Sequence, residues 1–268
     1  MEYLASSIWI KSLFISFIIS VLTIKLSLII INKTKTIDTP NKRSNHSIPT
    51  PKGAGIGLAL SFLIIYYMFF SINDFIFTTS VALLSLISFI NDNKHVPIIY
   101  RLTIQMILAL LVLLLWEPLI NLPLLSNIIP KWIGLTIVIL FIIWMTNLYN
   151  FMDGSDGYAA AQALFAIFYA SLLSFSNSSY SLYTLLLVGF FISVLGFFVR
   201  NFPPAKIFMG DVGSITIGSF FGFLIIFTAS NSVLSIYTWL ILLSLFITDA
   251  SYTPVSYTHL TLPTICSV

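Results

Sequence analysis

The chain has 268 residues, of which 58% are hydrophobic and 8% charged, against roughly 25% charged in an ordinary soluble domain. Its mean hydropathy is +1.02. Twelve Lys+Arg and nine Asp+Glu cannot form the charged skin of a water-soluble globule, which excludes a soluble enzyme and a disordered chain. The lone cysteine, Cys266, excludes an internal disulfide scaffold.

What remains is an all-α fold, a polytopic transmembrane helical bundle. Nine apolar runs follow in chain order: 8–31, 54–70, 75–90, 102–116, 132–149, 158–175, 183–199, 215–229 and 236–248. They are continuous rather than alternating, which argues against a membrane barrel. Several are shorter than the ~20 residues a span needs, so loop residues are expected to extend them. The first run is too long for a cleaved signal peptide and lacks a small-residue cleavage site. Short loops and the lack of internal repeats predict one membrane-embedded domain over residues 1–253.

Orientation follows from basic residues. Loops after odd-numbered runs carry Lys33, Lys35, Lys42, Arg43, Lys52, Lys94, Arg101, Arg200 and Lys206; loops after even-numbered runs carry only Lys131. This predicts a multi-pass membrane protein with its N-terminus outside and the odd loops in the cytoplasm. Asp38, Asp92, Asp153, Asp156, Asp211 and Asp249 fall on that same side. Acids contribute little to topology, so their gathering at the membrane boundary needs another cause.

Four segments carry that cause. Asn147-Leu-Tyr-Asn150-Phe-Met-Asp153-Gly-Ser-Asp156-Gly157 has two aspartates at i, i+3, which one helical turn would place on a single face at the start of the sixth helix. The plain alternative is a helix cap; the functional one is a polar pocket for a cation, a sugar or a nucleotide. Asn201 to Ser214 holds Lys206, Phe208 and Asp211, where Asp211 with Ser214 could equally be an ordinary helix start. His46 to Gly55 is a basic Pro/Gly-punctuated loop containing Lys52, read as a rigid turn or as an anion clamp. Asn91-Asp92-Asn93-Lys94-His95 ends the third run. Together they place carboxylates, amides, lysines and His46 on one face. Mg²⁺ suits such a place, because it binds through one or two carboxylates plus substrate phosphates and water. Phosphoryl transfer is the natural reaction class.

At these residues the chain resembles the polyprenyl-phosphate N-acetylhexosamine-1-phosphate transferases, a glycosyltransferase family. That family includes phospho-N-acetylmuramoyl-pentapeptide transferase and the enzymes that begin O-antigen or enterobacterial common antigen synthesis. The block Asn147–Gly157 is similar to the family's Asn-Phe-Met-Asp-Gly-x-Asp-Gly pattern, and 204–214 to its second hallmark. The Phe-Met-Asp-Gly form resembles the O-antigen type. The resemblance covers about residues 8–253. It implies transfer of an N-acetylated amino-sugar 1-phosphate from a UDP-sugar to undecaprenyl phosphate, with release of UMP and a need for Mg²⁺ (or Mn²⁺). It implies Asp211 as metal ligand, and Asp92 and Asp153 near the lipid phosphate and pyrophosphate, either one deprotonating or orienting the attacking phosphate. Asp156 is grouped with them as catalytic and, with Asn201 and Phe208, near the uridine. His46, Lys52, Asn147, Asn150 and Lys206 are expected to bind substrate. The implied partners are the two substrates and membrane lipids, with room for a homodimer and no role for nucleic acid. The amino sugar is left open.

Two departures stand out. The family has adjacent aspartates after the third helix; here they read Asn91-Asp92, and asparagine cannot be a charged base. After Asp249 to Thr253 the family continues into a basic, His-bearing stretch and further helices, whereas this chain reads Pro254 to Val268 without Lys, Arg, Asp or Glu. Residues 254–268 are therefore expected to be a non-native tail resembling translated sequencing adapter, with the C-terminal helices missing. The competing readings are a catalytically impaired lipid- or nucleotide-binding relative and a transporter, which would need charges at mid-membrane in broken helices. Only Lys11 and Lys25 lie inside an apolar run. A CDP-alcohol phosphotransferase fails at Asp156-Gly-Tyr-Ala-Ala-Ala161, and an intramembrane aspartyl protease fails at Phe208-Met-Gly-Asp211.

Overall fold

Each apolar run forms a helix in the computed structural model, which describes residues 2–40, 48–69, 75–94, 96–116, 129–175 and 181–250. In chain order these are α1 (Glu2–Thr34), α2 (Gly55–Phe69), α3 (Phe75–Asn93), α4 (Ile98–Trp116), α5 (Lys131–Met152), α6 (Tyr158–Phe175), α7 (Ser181–Asn201), α8 (Gly210–Ser230) and the short α9 (Ile236–Leu242). A further helical stretch covers 244–250. Six of the helices are long and apolar enough to cross a membrane. The all-α polytopic bundle expected from composition is what forms. The expectations for His46 and the 254–268 tail lie outside the described residues.

The helices extend past their apolar runs, and each extension brings in at least one polar residue. α3 continues to Asn93, α5 to Met152, α7 to Asn201, and α8 begins at Gly210, five residues before its apolar run. All four extensions lie at one end of the bundle. A helix stops where its backbone groups find other partners, not where apolar side chains end.

The core is built around α8, which is buried along nearly its whole length. It packs on α2, α3 and α5, while α6 and α7 pair with each other and α1 covers α2 and α7. Phe220 of α8 stacks on Phe190 of α7 at 3.6 Å and meets Phe62 of α2 edge-on at 5.2 Å. Where α2 and α8 cross, Gly55 and Gly213 lie so close that a Cβ on Gly55 would collide with the Gly213 backbone. Among the described residues, most buried polar ones are hydroxyls, joined by Gln105 and Asn201. Lys25, the charge deepest in α1, is exposed on its outer face.

Two strand fragments complete the site end. β1 (Ile37–Asp38) pairs antiparallel with β2 (Thr50–Pro51). A parallel bridge joins Lys52 to Phe208.

Candidate active site

The site is assembled at the bundle end where α3 stops and α8 starts. The first turn of α8 exposes backbone N–H groups that no residue of the helix can satisfy. Asp92 satisfies two of them from α3: its Oδ1 accepts the N–H of Asp211 at 3.0 Å and its Oδ2 that of Val212 at 3.0 Å. Its side chain is 1% exposed, and Lys52 Nζ stands 3.8 Å from Oδ1. The cap of α8 therefore comes from another helix. The Asp211–Ser214 pairing that would mark an ordinary helix start does not supply it, and Ser214 donates its hydroxyl to Asn150 Oδ1 of α5 at 2.8 Å.

Gly210 makes this docking fit. It sits at φ +71°, and a Cβ there would come within 2.7 Å of Asp92 Oδ2 and 2.8 Å of the Gly53 Cα. The left-handed conformation and the lack of space both require glycine.

Asp211 projects from the capped turn. Its Oδ2 accepts from Asn91 Nδ2 at 2.7 Å and pairs with Arg101 Nη2 of α4 at 3.1 Å. Asn91 is itself fixed, its Oδ1 accepting the Val96 N–H at 2.9 Å. An aspartate at 91 would set like charges together at this distance; the asparagine donates instead.

Asp153 and Asp156 correct the helical expectation. They do not begin α6 on one helical face. Asp153 is the C-cap of α5, with φ −77° and ψ 35°, and both lie in the turn of residues 153–157. Gly157, at φ +72°, closes that turn, which a continuous helix could not accommodate. A helix C-terminus is unfavourable for negative charge. Burial pushes the Asp153 carboxyl well above the usual carboxylate range; Lys52 opposes the rise, while Asp92 and Asp211 add to it. Those influences put Asp92, Asp153, Asp211 and Lys52 in one electrostatic neighbourhood.

The second half of the site is a loop held by side-chain amides and carboxylates. Asp156 Oδ2 accepts the Ala205 N–H at 2.9 Å. Asn201, 3% exposed, accepts the Gly157 N–H at 3.1 Å and donates to the Ile207 carbonyl at 2.9 Å. It joins the 153–157 turn to the 202–208 loop. The N–H of Phe208 donates to the Pro51 carbonyl at 2.8 Å, and the Phe208 carbonyl accepts from Gly53 and Ala54. Lys52 and Phe208 are thereby brought side by side. Lys206 is exposed and Phe208 partly so. Asn147 is engaged deeper in the bundle, donating to Gln105 Oε1 at 2.7 Å and to the Ile143 carbonyl at 2.8 Å.

Among the described residues no group of three or more His, Cys, Asp or Glu forms a ready metal cage. What the site offers is hard carboxylate oxygen beside cationic side chains at the end of a membrane bundle, with an aromatic ring at its edge.

The family model described as Glycosyl transferase family 4 matches residues 74–229, more than half of the 268 residues. The chain belongs to this family. A phospho-N-acetylmuramoyl-pentapeptide-transferase of Lactiplantibacillus plantarum is 41% identical over 91 residues, 32% of this chain and 27% of that protein. A probable undecaprenyl-phosphate N-acetylglucosaminyl 1-phosphate transferase of Bacillus subtilis is 25% identical over 214 residues, 76% of this chain and 60% of that protein. A phospho-N-acetylmuramoyl-pentapeptide-transferase of Moorella thermoacetica is 39% identical over 99 residues, 36% of this chain and 30% of that protein. The matches thus span less than two thirds of each of these relatives.

The glycosyl transferase family 4 match contains Asp92, Asn147, Asn150, Asp153, Asp156, Asn201, Lys206, Phe208 and Asp211, but not His46 or Lys52. Sequence reasoning missed the part played by Arg101, which it counted only toward topology. It also read Asn91 only as a lost carboxylate. Arg101 lies ten residues beyond Asn91 across a helix break, and the contact with Asp211 depends on how α3, α4 and α8 meet. No local spacing signals that arrangement.

Proposed function

We propose that this member of glycosyl transferase family 4 transfers an N-acetylated amino-sugar 1-phosphate from a UDP-sugar to undecaprenyl phosphate. An oxygen of the lipid phosphate forms a bond to the sugar-bearing phosphorus, the bond from that phosphorus to the bridging oxygen breaks, and UMP leaves. The observation that carries the reading is the grouping of Asp92, Asp153 and Asp211 with Lys52 and Arg101 at one end of a membrane bundle. There a soluble nucleotide can meet a membrane-held acceptor. The basic bias assigns that end to the cytoplasm. The product would begin a cell-envelope glycan, of the O-antigen kind or a related one.

The donor set fits Mg²⁺ (or Mn²⁺) held at Asp211. An octahedral magnesium takes few protein carboxylates and completes its shell with phosphate and water oxygens, and Asp211 offers one such carboxylate. When bound, the cation neutralises charge on the transferring phosphates. The chain's residues do the rest. Asp92 holds the first turn of α8, and so Asp211, in place. Asp153, whose carboxyl burial raises above the usual range, orients or takes a proton from the acceptor phosphate. Lys52, Lys206 and His46 attract phosphate oxygens. Phe208 offers a ring for the base, beside Asp156 and Asn201, which hold its loop. Asn147 and Asn150 support the end of α5.

The test is direct. Membranes containing the protein encoded by the full-length gene, with the uninterrupted sequence restored after Thr253, receive a panel of UDP-N-acetylhexosamines, undecaprenyl phosphate and Mg²⁺, and are assayed for UMP and lipid-linked sugar phosphate. Both products are expected with at least one donor; none across the panel overturns the reading. Asp211→Asn is expected to lose turnover by a factor of about 10² or more, in the range for removing an electrostatic stabiliser. Unchanged kinetics in that variant would remove Asp211 from the metal position.

A further inference from the structure

Arg101 is a charged side chain that the proposed chemistry leaves without a task. It rises from the first turns of α4, a helix that packs on α3 and α5, and crosses to the first turn of α8. Its Nη2 reaches Asp211 Oδ2 at 3.1 Å, with the two side chains 17% and 20% exposed. No other ion pair of Arg101 occurs among the described residues. The carboxylate oxygen it meets is also the one Asn91 holds at 2.7 Å.

A guanidinium and a divalent cation compete for a carboxylate through the same attraction. Asp211 carries a single negative charge, and the guanidinium at Oδ2 already offsets it, so a cation approaching either oxygen meets a weakened carboxylate and the repulsion of Arg101. The guanidinium is always charged, so pH does not remove it. We propose that Arg101 is a resident countercation of Asp211 that a divalent cation must displace, so that metal entry is disfavoured until substrate phosphates supply further ligands. The inference rests on the assignment of Asp211 to the metal. It makes Arg101 a positioning residue that acts through Asp211, and it couples metal uptake to arrival of the diphosphate donor. The neutral Asn91 is consistent with this: a second carboxylate there would draw the guanidinium away or recruit metal without substrate.

The experiment is Mn²⁺ binding, followed by electron paramagnetic resonance, to the purified protein in phosphatidylcholine nanodiscs without substrates. Wild type, Arg101→Gln, Arg101→Lys, Asp211→Asn and the double variant Arg101→Gln/Asp211→Asn are compared. Arg101→Gln should bind Mn²⁺ about tenfold tighter than wild type, the scale of one charge-assisted hydrogen bond. Arg101→Lys should lie between, since an ammonium lacks the planar fork. Asp211→Asn should abolish saturable binding in both backgrounds. A merely structural tie between α4 and α8 predicts the opposite sign: melting falls and Mn²⁺ binds no better. Equal or weaker binding in a folded Arg101→Gln overturns the competition while leaving Asp211 as ligand. If Arg101→Gln does not fold, the same outcome in Arg101→Lys decides. Saturable binding that survives Asp211→Asn overturns the metal assignment and the competition with it.

Discussion

Asp92 and Asp153 lie at the same end of the bundle, and burial raises both carboxyls above the usual range, but their neighbours differ. Asp92 is buried but met by two backbone N–H donors and Lys52. Asparagine in its place has one acceptor oxygen and would turn amide donors toward the second N–H. One buried donor left unsatisfied costs about 1–3 kcal/mol. Asp92→Asn is therefore expected to lower the melting temperature of the purified protein even without substrate, and an unchanged melt would show that the cap is not needed. At Asp153 the opposing influence is Lys52, and burial outweighs it. Its folded pKa is raised, chiefly by burial, above the ~3.9 of an unfolded aspartate. The protonated form is thus the one the fold favours. Its stabilising contribution is complete below the ordinary aspartate range and is lost as pH rises through the raised value. Asp153→Asn should melt higher than wild type at pH 8 in metal- and substrate-free buffer, and the gap should shrink toward pH 4. A gap that is flat with pH would mean that Asp153 ionises without cost. Storing such a cost at a group proposed to act on the acceptor would be an exchange of stability for activity.

At the scale of elements, the α8 entry is where the fold has least freedom. A methyl on Gly210 would press on the Asp92 carboxylate and the Gly53 backbone at a positive φ. At Gly154, in the turn between the site aspartates, an added methyl would find nothing within 4 Å. Gly210→Ala should therefore lose several degrees of melting temperature or fail to accumulate, whereas Gly154→Ala should melt like wild type. The reverse order would sink the account of this docking. The same element shows what could be read from sequence and what could not. The apolar run 215–229 locates the helix, because hydropathy integrates over many side chains and one misplaced residue changes little. Its true start at Gly210 is set by a carboxylate 118 positions earlier in the chain (Asp92 to Gly210), which no window over the sequence can register. The aspartate-glycine blocks marked the site for a related reason: charged residues are rare in this chain, so each one carries information. Their partners were hidden. Asn201 looked like a ligand for substrate, yet both ends of its amide join the 153–157 turn to the 202–208 loop. The helical spacing of Asp153 and Asp156 suggested one face, but Gly157 breaks the geometry that the spacing assumes.

For the whole molecule, the charge asymmetry and the architecture make one joint prediction about which side of the membrane the site faces. α5 runs 22 residues from Lys131 to Met152, about 33 Å at helical rise, which matches the ~30 Å hydrocarbon core. Lys131 therefore stands at one membrane surface and the Asp153 turn at the other. Lys206 belongs to the loop that Asp156 and Asn201 hold against that turn, and both lysines are exposed. With Cys266→Ala removing the lone cysteine, Lys206→Cys and Lys131→Cys become single reporters for a membrane-impermeant maleimide. The basic bias predicts labelling of Lys131→Cys in intact cells, and of Lys206→Cys only after the membrane is opened or inverted. The opposite pattern would put Asp92, Asp153 and Asp211 on the outer surface. A UDP-sugar held inside the cell could not then reach them, and the proposed reaction would fail on access alone, whatever the chemistry of the site.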